Sequence, residues 1–100
     1  MFKHIVMWKL RDQGDEAAKE RDALAIKSRL EGLKATIQEI SHIEVGINAC
    51  ESAAAYDVVL YSEFADLDAL ERYRVHPDHR EAAAFVASVT SDRAVVDYAC

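Results

Sequence analysis

The segment His4–Leu10, HIVMWKL, is apolar on both faces at its centre, with Ile5 and Met7 projecting opposite Val6 and Trp8. A strand covered on both sides has this pattern. RDQGD then interrupts it. From Asp15 to about Leu33 the period changes: Ala23, Ile26, Leu30 and Leu33 recur at helical spacing. Asp15 suits the cap and Glu16 the first turn. Ser41–Asn48, SHIEVGIN, alternates, with Ile43, Val45 and Ile47 on one face and His42, Glu44 and Gly46 on the other. That predicts a half-buried strand. After a small-residue connection, Tyr56–Phe64 predicts another strand, with Tyr56, Val58, Leu60 and Phe64 on one face.

Asp66 is placed to cap a short helix, LDALERYRV. It should stop near Val75, because His76 precedes Pro77 and a residue before proline is driven from helical angles. Pro77 in turn suits the first position of a new helix. That helix should run to about Val89, with Ala82, Ala83, Val86 and Val89 inward, and Ala94–Cys100 should be the last strand.

Strand, helix, strand, strand, broken helix, strand predicts an α+β fold: a ferredoxin-like sandwich over residues 1–100, one antiparallel sheet with helices on one side. The sheet's other side is then bare. HIVMW and DVVLY carry apolar or aromatic residues on both faces, and a bare apolar sheet marks an interface. The expectation is a homodimer that buries this second face, with Val6, Trp8 and Val59 or their neighbours, sheet against sheet.

Composition narrows the function classes. The 100-residue chain is 51% hydrophobic with a formal net charge of -6, which disfavours nucleic acid and anionic membranes as partners. No apolar run is long enough to span a bilayer, and the start lacks the pattern of a cleaved signal. Cys50 and Cys100 form no CxxC and are too few for a disulfide framework. The expectation is two free thiols, at opposite sheet edges, in a cytoplasmic protein. With three widely spaced glycines there is no phosphate-binding loop, and no Ser or Cys nucleophile motif appears. No cofactor is expected.

The candidate chemistry centres on YRVHPDH, Tyr73–His79. His79 precedes Val86 by seven residues, close to two turns, so both should face the sheet. His4 shares the face of Val6 and Trp8, and Tyr73 that of Ala69 and Leu70. A cavity could thus gather an imidazole, a phenol and apolar walls, with His4, Val6, Trp8 and Val86 as ligand-binding residues. Those parts suit proton transfer next to a carbonyl. They equally suit a hinge in which Tyr73 and His79 hold the helix break in shape. His76, Asp78 and His79 superficially resemble metal ligands, but Pro77 intervenes and no third ligand is evident, so no metal is expected. His76 reads instead as a cap.

HIVMWKL, VGIN, YDVVLYSEF, YRVHPDH and VVDY, in this order, resemble the stress-responsive dimeric α/β-barrel (Dabb) family over nearly the whole chain. The HPxH turn preceded by Tyr is the most specific piece. The resemblance implies a ferredoxin-like protomer that dimerises through its sheets. One plant branch of the family comprises polyketide cyclases that perform an intramolecular aldol condensation. By that resemblance His79 matches the catalytic base, Tyr73 its assistant and His4 a pocket-lining histidine. Other members are linked to stress tolerance without an assigned activity, so a non-catalytic, stress-protective dimer is the rival expectation.

Overall fold

The computed structural model describes residues Met1–Cys100. Its elements are β1 (Phe2–Leu10), α1 (Glu16–Gly32), a 3-10 turn (Leu33–Ala35), β2 (Ile40–Ile47), β3 (Val58–Phe64), α2 (Leu67–Val75), α3 (Pro77–Val89) and β4 (Thr90–Ala99). All strand pairs are antiparallel, in the order β2-β3-β1-β4. This is the ferredoxin-like α+β arrangement.

Local chemistry sets the boundaries. Gly14 turns the chain after β1 at a φ of 71°, where a side chain would be strained. Asp15 Oδ1 accepts from Ala17 N at 3.0 Å and opens α1, while Asp66 Oδ1 accepts from Ala69 N at 2.8 Å and opens α2. His76 is extended (φ -63°, ψ 135°), and its Nδ1 accepts from Asp78 N at 3.1 Å as the cap of α3.

β4 begins at Thr90, four residues before the expected Ala94. Thr90–Arg93 is polar and shows no alternation, yet it pairs through its backbone with β1 at Leu10, Lys9 and Trp8, across a register shift at Lys9/Leu10. Tyr56 is a second difference. It lies outside β3, half-buried, with Lys9 Nζ 5.1 Å from its ring centre.

The core lies between the helices and one sheet face. Ile26 and Leu30 of α1, Leu70 and Tyr73 of α2, and Ala82 and Val86 of α3 pack over Val6, Trp8, Val45, Leu60 and Phe64. Val6 and Trp8 are therefore not on the second face: they are 1% and 6% exposed beneath the helices. Alternation along β1 makes the reason plain, since His4, Val6 and Trp8 share one parity and Ile5 and Met7 the other. The face away from the helices carries Ile5 and Met7, their β3 partners Tyr61 and Val59, and their β4 partners Val96 and Ala94. Gly46 belongs to this face too, where a Cβ would come within 3.1 Å of Val59 Cγ1. Val96 is 58% exposed and Tyr98 40% exposed, so the face is apolar and uncovered in the protomer.

Cys50 and Cys100 are free and exposed, following the two edge strands β2 and β4. No helix is long and apolar enough to cross a membrane.

Candidate functional site

A cavity of about 430 Å³ lies between the helices and the β3-β1-β4 part of the sheet. His4, Tyr73 and His79 line it together with the apolar Val6, Trp8, Leu60 and Val86. All six residues singled out in the sequence thus line one space. Its rim is Ala87 and Ser91–Arg93, which are exposed. The volume is ordinary for a small-molecule pocket.

The helix break positions the two central groups. Tyr73 sits in the last turn of α2 and His79 in the first turn of α3, so the bend at His76–Pro77 sets their separation. Their ring centres are 4.4 Å apart at 49°. Tyr73 also contacts Phe64, ring centres 4.9 Å apart, and is fully buried.

His79 Nδ1 lies 3.0 Å from the carbonyl oxygen of Arg74. A carbonyl can only accept, so Nδ1 carries the proton and Nε2 is the unprotonated nitrogen of the neutral ring. Burial lowers the pKa of His79; the Arg74 carbonyl opposes this, and the charges of His4, Arg74 and Arg93 add to it. At neutral pH the ring is an uncharged base.

Tyr73 is the reverse case. Burial pushes its pKa up to about 12, so it keeps its proton. Its hydroxyl is buried and is the one buried side-chain polar atom without a hydrogen-bond partner. Buried polar groups are nearly always paired, and an exception calls for a physical reason. Here the orphan belongs to a residue that lines the cavity.

His4 is held by residues that the sequence reading did not single out. Its Nδ1 donates to Asp97 Oδ1, Asp97 Oδ2 accepts from Arg74 Nη2 at 2.7 Å, and Arg74 Nη1 reaches Glu71 Oε1 at 3.0 Å. Asp97 is the β4 partner of His4. An acid in the middle of an otherwise apolar VVDY strand was the available signal, because Asp is depleted from strands. Burial lowers the His4 pKa, with Asp97 opposing. Ser62, fully buried, donates to the His4 carbonyl at 2.8 Å and pins β1 to β3 there.

His76 stays outside this group, its Nδ1 committed to the α3 cap. No cluster of three His, Cys, Asp or Glu side chains has the geometry to hold a metal ion.

Comparison with known proteins agrees with this architecture. The chain is 39% identical to a dimeric protein of unknown function and ferredoxin-like fold from Bacteroides fragilis, with a TM-score of 0.87 over 97% of this chain and 93% of that one. An uncharacterized protein of Streptomyces coelicolor is 32% identical over 84% of each chain. A stress-response A/B barrel domain-containing protein of Arabidopsis thaliana is 28% identical over 98% of this chain, which spans only 36% of that longer protein. The family model described as Stress responsive A/B Barrel Domain matches residues 2–100, and the chain belongs to that family, Dabb.

Proposed function

We propose that this chain forms a homodimer through the bare sheet face and binds a small, largely apolar carbonyl compound in the cavity, where His79 and Tyr73 carry out cofactor-free proton transfer. The observation that carries this reading is the buried, unpartnered Tyr73 hydroxyl beside a histidine whose free nitrogen is a base. A ligand carbonyl oxygen supplies the acceptor that Tyr73 lacks.

In the proposed step, His79 Nε2 takes a proton from the carbon next to the carbonyl. The C–H electron pair becomes the enolate π bond, and the carbonyl oxygen gains charge against the Tyr73 hydroxyl. A donor aimed at an oxygen where charge develops stabilises the transition state more than the ground state. His4, fixed by Asp97, orients the ligand. The enolate then takes a proton back at carbon. Alternatively it attacks a second carbonyl of the same molecule, forming a C–C bond, and the new alkoxide takes the proton from His79.

Dimerisation is supported by the outer residues Ile5, Met7, Val59, Ala94 and Val96 and by the dimeric Bacteroides fragilis relative.

The test is exchange of the α-protons of ketones and diketones for solvent deuterium, followed by NMR. His79→Gln keeps a polar side chain but no base: it should abolish exchange while leaving fold and assembly intact. Tyr73→Phe should slow exchange less. The rival reading, a non-catalytic stress-protective dimer, draws support from the same His79–Arg74 hydrogen bond, which staples α3 to the end of α2. On that reading no probe exchanges and His79→Gln unfolds the protein as a core cavity does.

A further inference from the structure

We infer that the cavity's ligand is a carboxylate with an apolar body, its anionic group paired with Arg93 at the rim. This rests on the proposal that the cavity takes a small molecule, and narrows it to a substrate class.

Arg93 lies across from Trp8 on β4 and so shares the face of Trp8, Val6 and His4. It is the one side chain of permanent positive charge that lines the cavity. It has no ion pair within the chain. Arg74, the other nearby guanidinium, is committed to Asp97 and Glu71. Asp92, also at the rim, does not compensate Arg93. It forms no ion pair with Arg93, and Ser91 Oγ donates to its carboxylate.

The histidine and tyrosine side chains of the lining carry no counter-charge either. Tyr73 and His79 are neutral at pH 7, and Asp97 is ion-paired with Arg74 and accepts from His4. A chain with a net charge of -6 thus leaves a free cation at the mouth of an apolar cavity. A carboxylate matches the guanidinium fork with two parallel hydrogen bonds. Four residue steps along β1 separate His4–Asp97 from Trp8–Arg93, about 13 Å of extended chain. A ligand of medium length can therefore place its carboxylate at Arg93 and a carbonyl near Tyr73.

Trp8 is the chain's single tryptophan and a cavity wall, so its fluorescence reports occupancy. Octanoate, its neutral isostere octanamide and methyl hexyl ketone are titrated against wild type, Arg93→Gln and Arg93→Lys at low and at moderate salt. Wild type should bind octanoate at least tenfold more tightly than octanamide, with the preference shrinking in salt. Arg93→Gln should erase the preference and leave octanamide and ketone binding unchanged, which also establishes that the variant is folded. Arg93→Lys should keep part of it. Equal affinities for acid and amide in wild type, or a preference that survives Arg93→Gln, overturns the inference. Ketone binding without any acid preference removes the carboxylate assignment alone. Silence from all three ligands removes it together with the cavity's role as a binding site.

Discussion

Tyr73→Phe should make this protein more stable. The hydroxyl is buried and unpartnered, and leaving a buried donor unsatisfied costs roughly 1–3 kcal/mol. Phenylalanine keeps the ring contacts with Phe64 and His79 and deletes only the buried oxygen. The expected gain is about 1–3 kcal/mol, and each kcal/mol raises Tm by about 4–8 °C in a chain of this size. Alkaline pH supplies a second readout. An unfolded tyrosine ionises near its ordinary value of 10.0, whereas folded Tyr73 holds its proton up to about 12. Between those values the folded state binds more protons than the unfolded, so stability falls as pH rises, by roughly 3 kcal/mol over the two units. Tyr73→Phe lacks this loss, and its advantage should widen above pH 10. Urea unfolding followed by circular dichroism, at one protein concentration because the proposed dimer makes stability concentration-dependent, measures both effects. A variant less stable than wild type at pH 7, or an unchanged alkaline slope, would show that the hydroxyl has a partner. The case for a ligand carbonyl at that position would then fail.

Three further outcomes follow from the same structure. His4 and His79 both sit below the ordinary histidine value of 6.5, chiefly through burial. As pH drops below 6.5 the unfolded chain takes up protons that the folded chain refuses, so stability should fall and then level off once the folded pKa values are passed; urea midpoints for wild type and His79→Gln should show the variant losing less. Val96→Glu puts a charge on the bare sheet face beside Ile5, and on the proposed dimer sedimentation equilibrium should show wild type as a dimer and the variant as a monomer; a dimeric variant would place the interface elsewhere. His76→Ala removes the acceptor for Asp78 N and should cost on the order of 1 kcal/mol at most, read as a small shift in urea midpoint with ligand affinity unchanged.

Local chemistry made much of this fold legible. Asp15, Asp66 and the His76–Pro77 step open or close helices through contacts within a few residues, and such contacts are visible in sequence. The start of β4 was not legible, because Thr90–Arg93 owes its extended form to backbone pairing with β1, at the opposite end of the chain. Alternation divided β1 into two faces but could not say which one the helices cover. Val6 and Trp8 were therefore drawn both to the cavity and to the second face, and packing assigned them to the cavity. That the six candidate residues share one cavity was legible because parity and helical spacing fix direction. Asp97 and Arg74 were not, since an ion pair between β4 and the end of α2 leaves no periodic trace.

Arg74 serves both histidines, but through different atoms. Its backbone carbonyl fixes the tautomer of His79, and its guanidinium steadies Asp97 behind His4. A carbonyl is present whatever side chain the codon specifies. Substitution at position 74 can therefore retune the His4 branch while His79 keeps its unprotonated Nε2. On the proposed function, a lineage built on this scaffold could explore new ligands by drift at that one position while His79 keeps its tautomer.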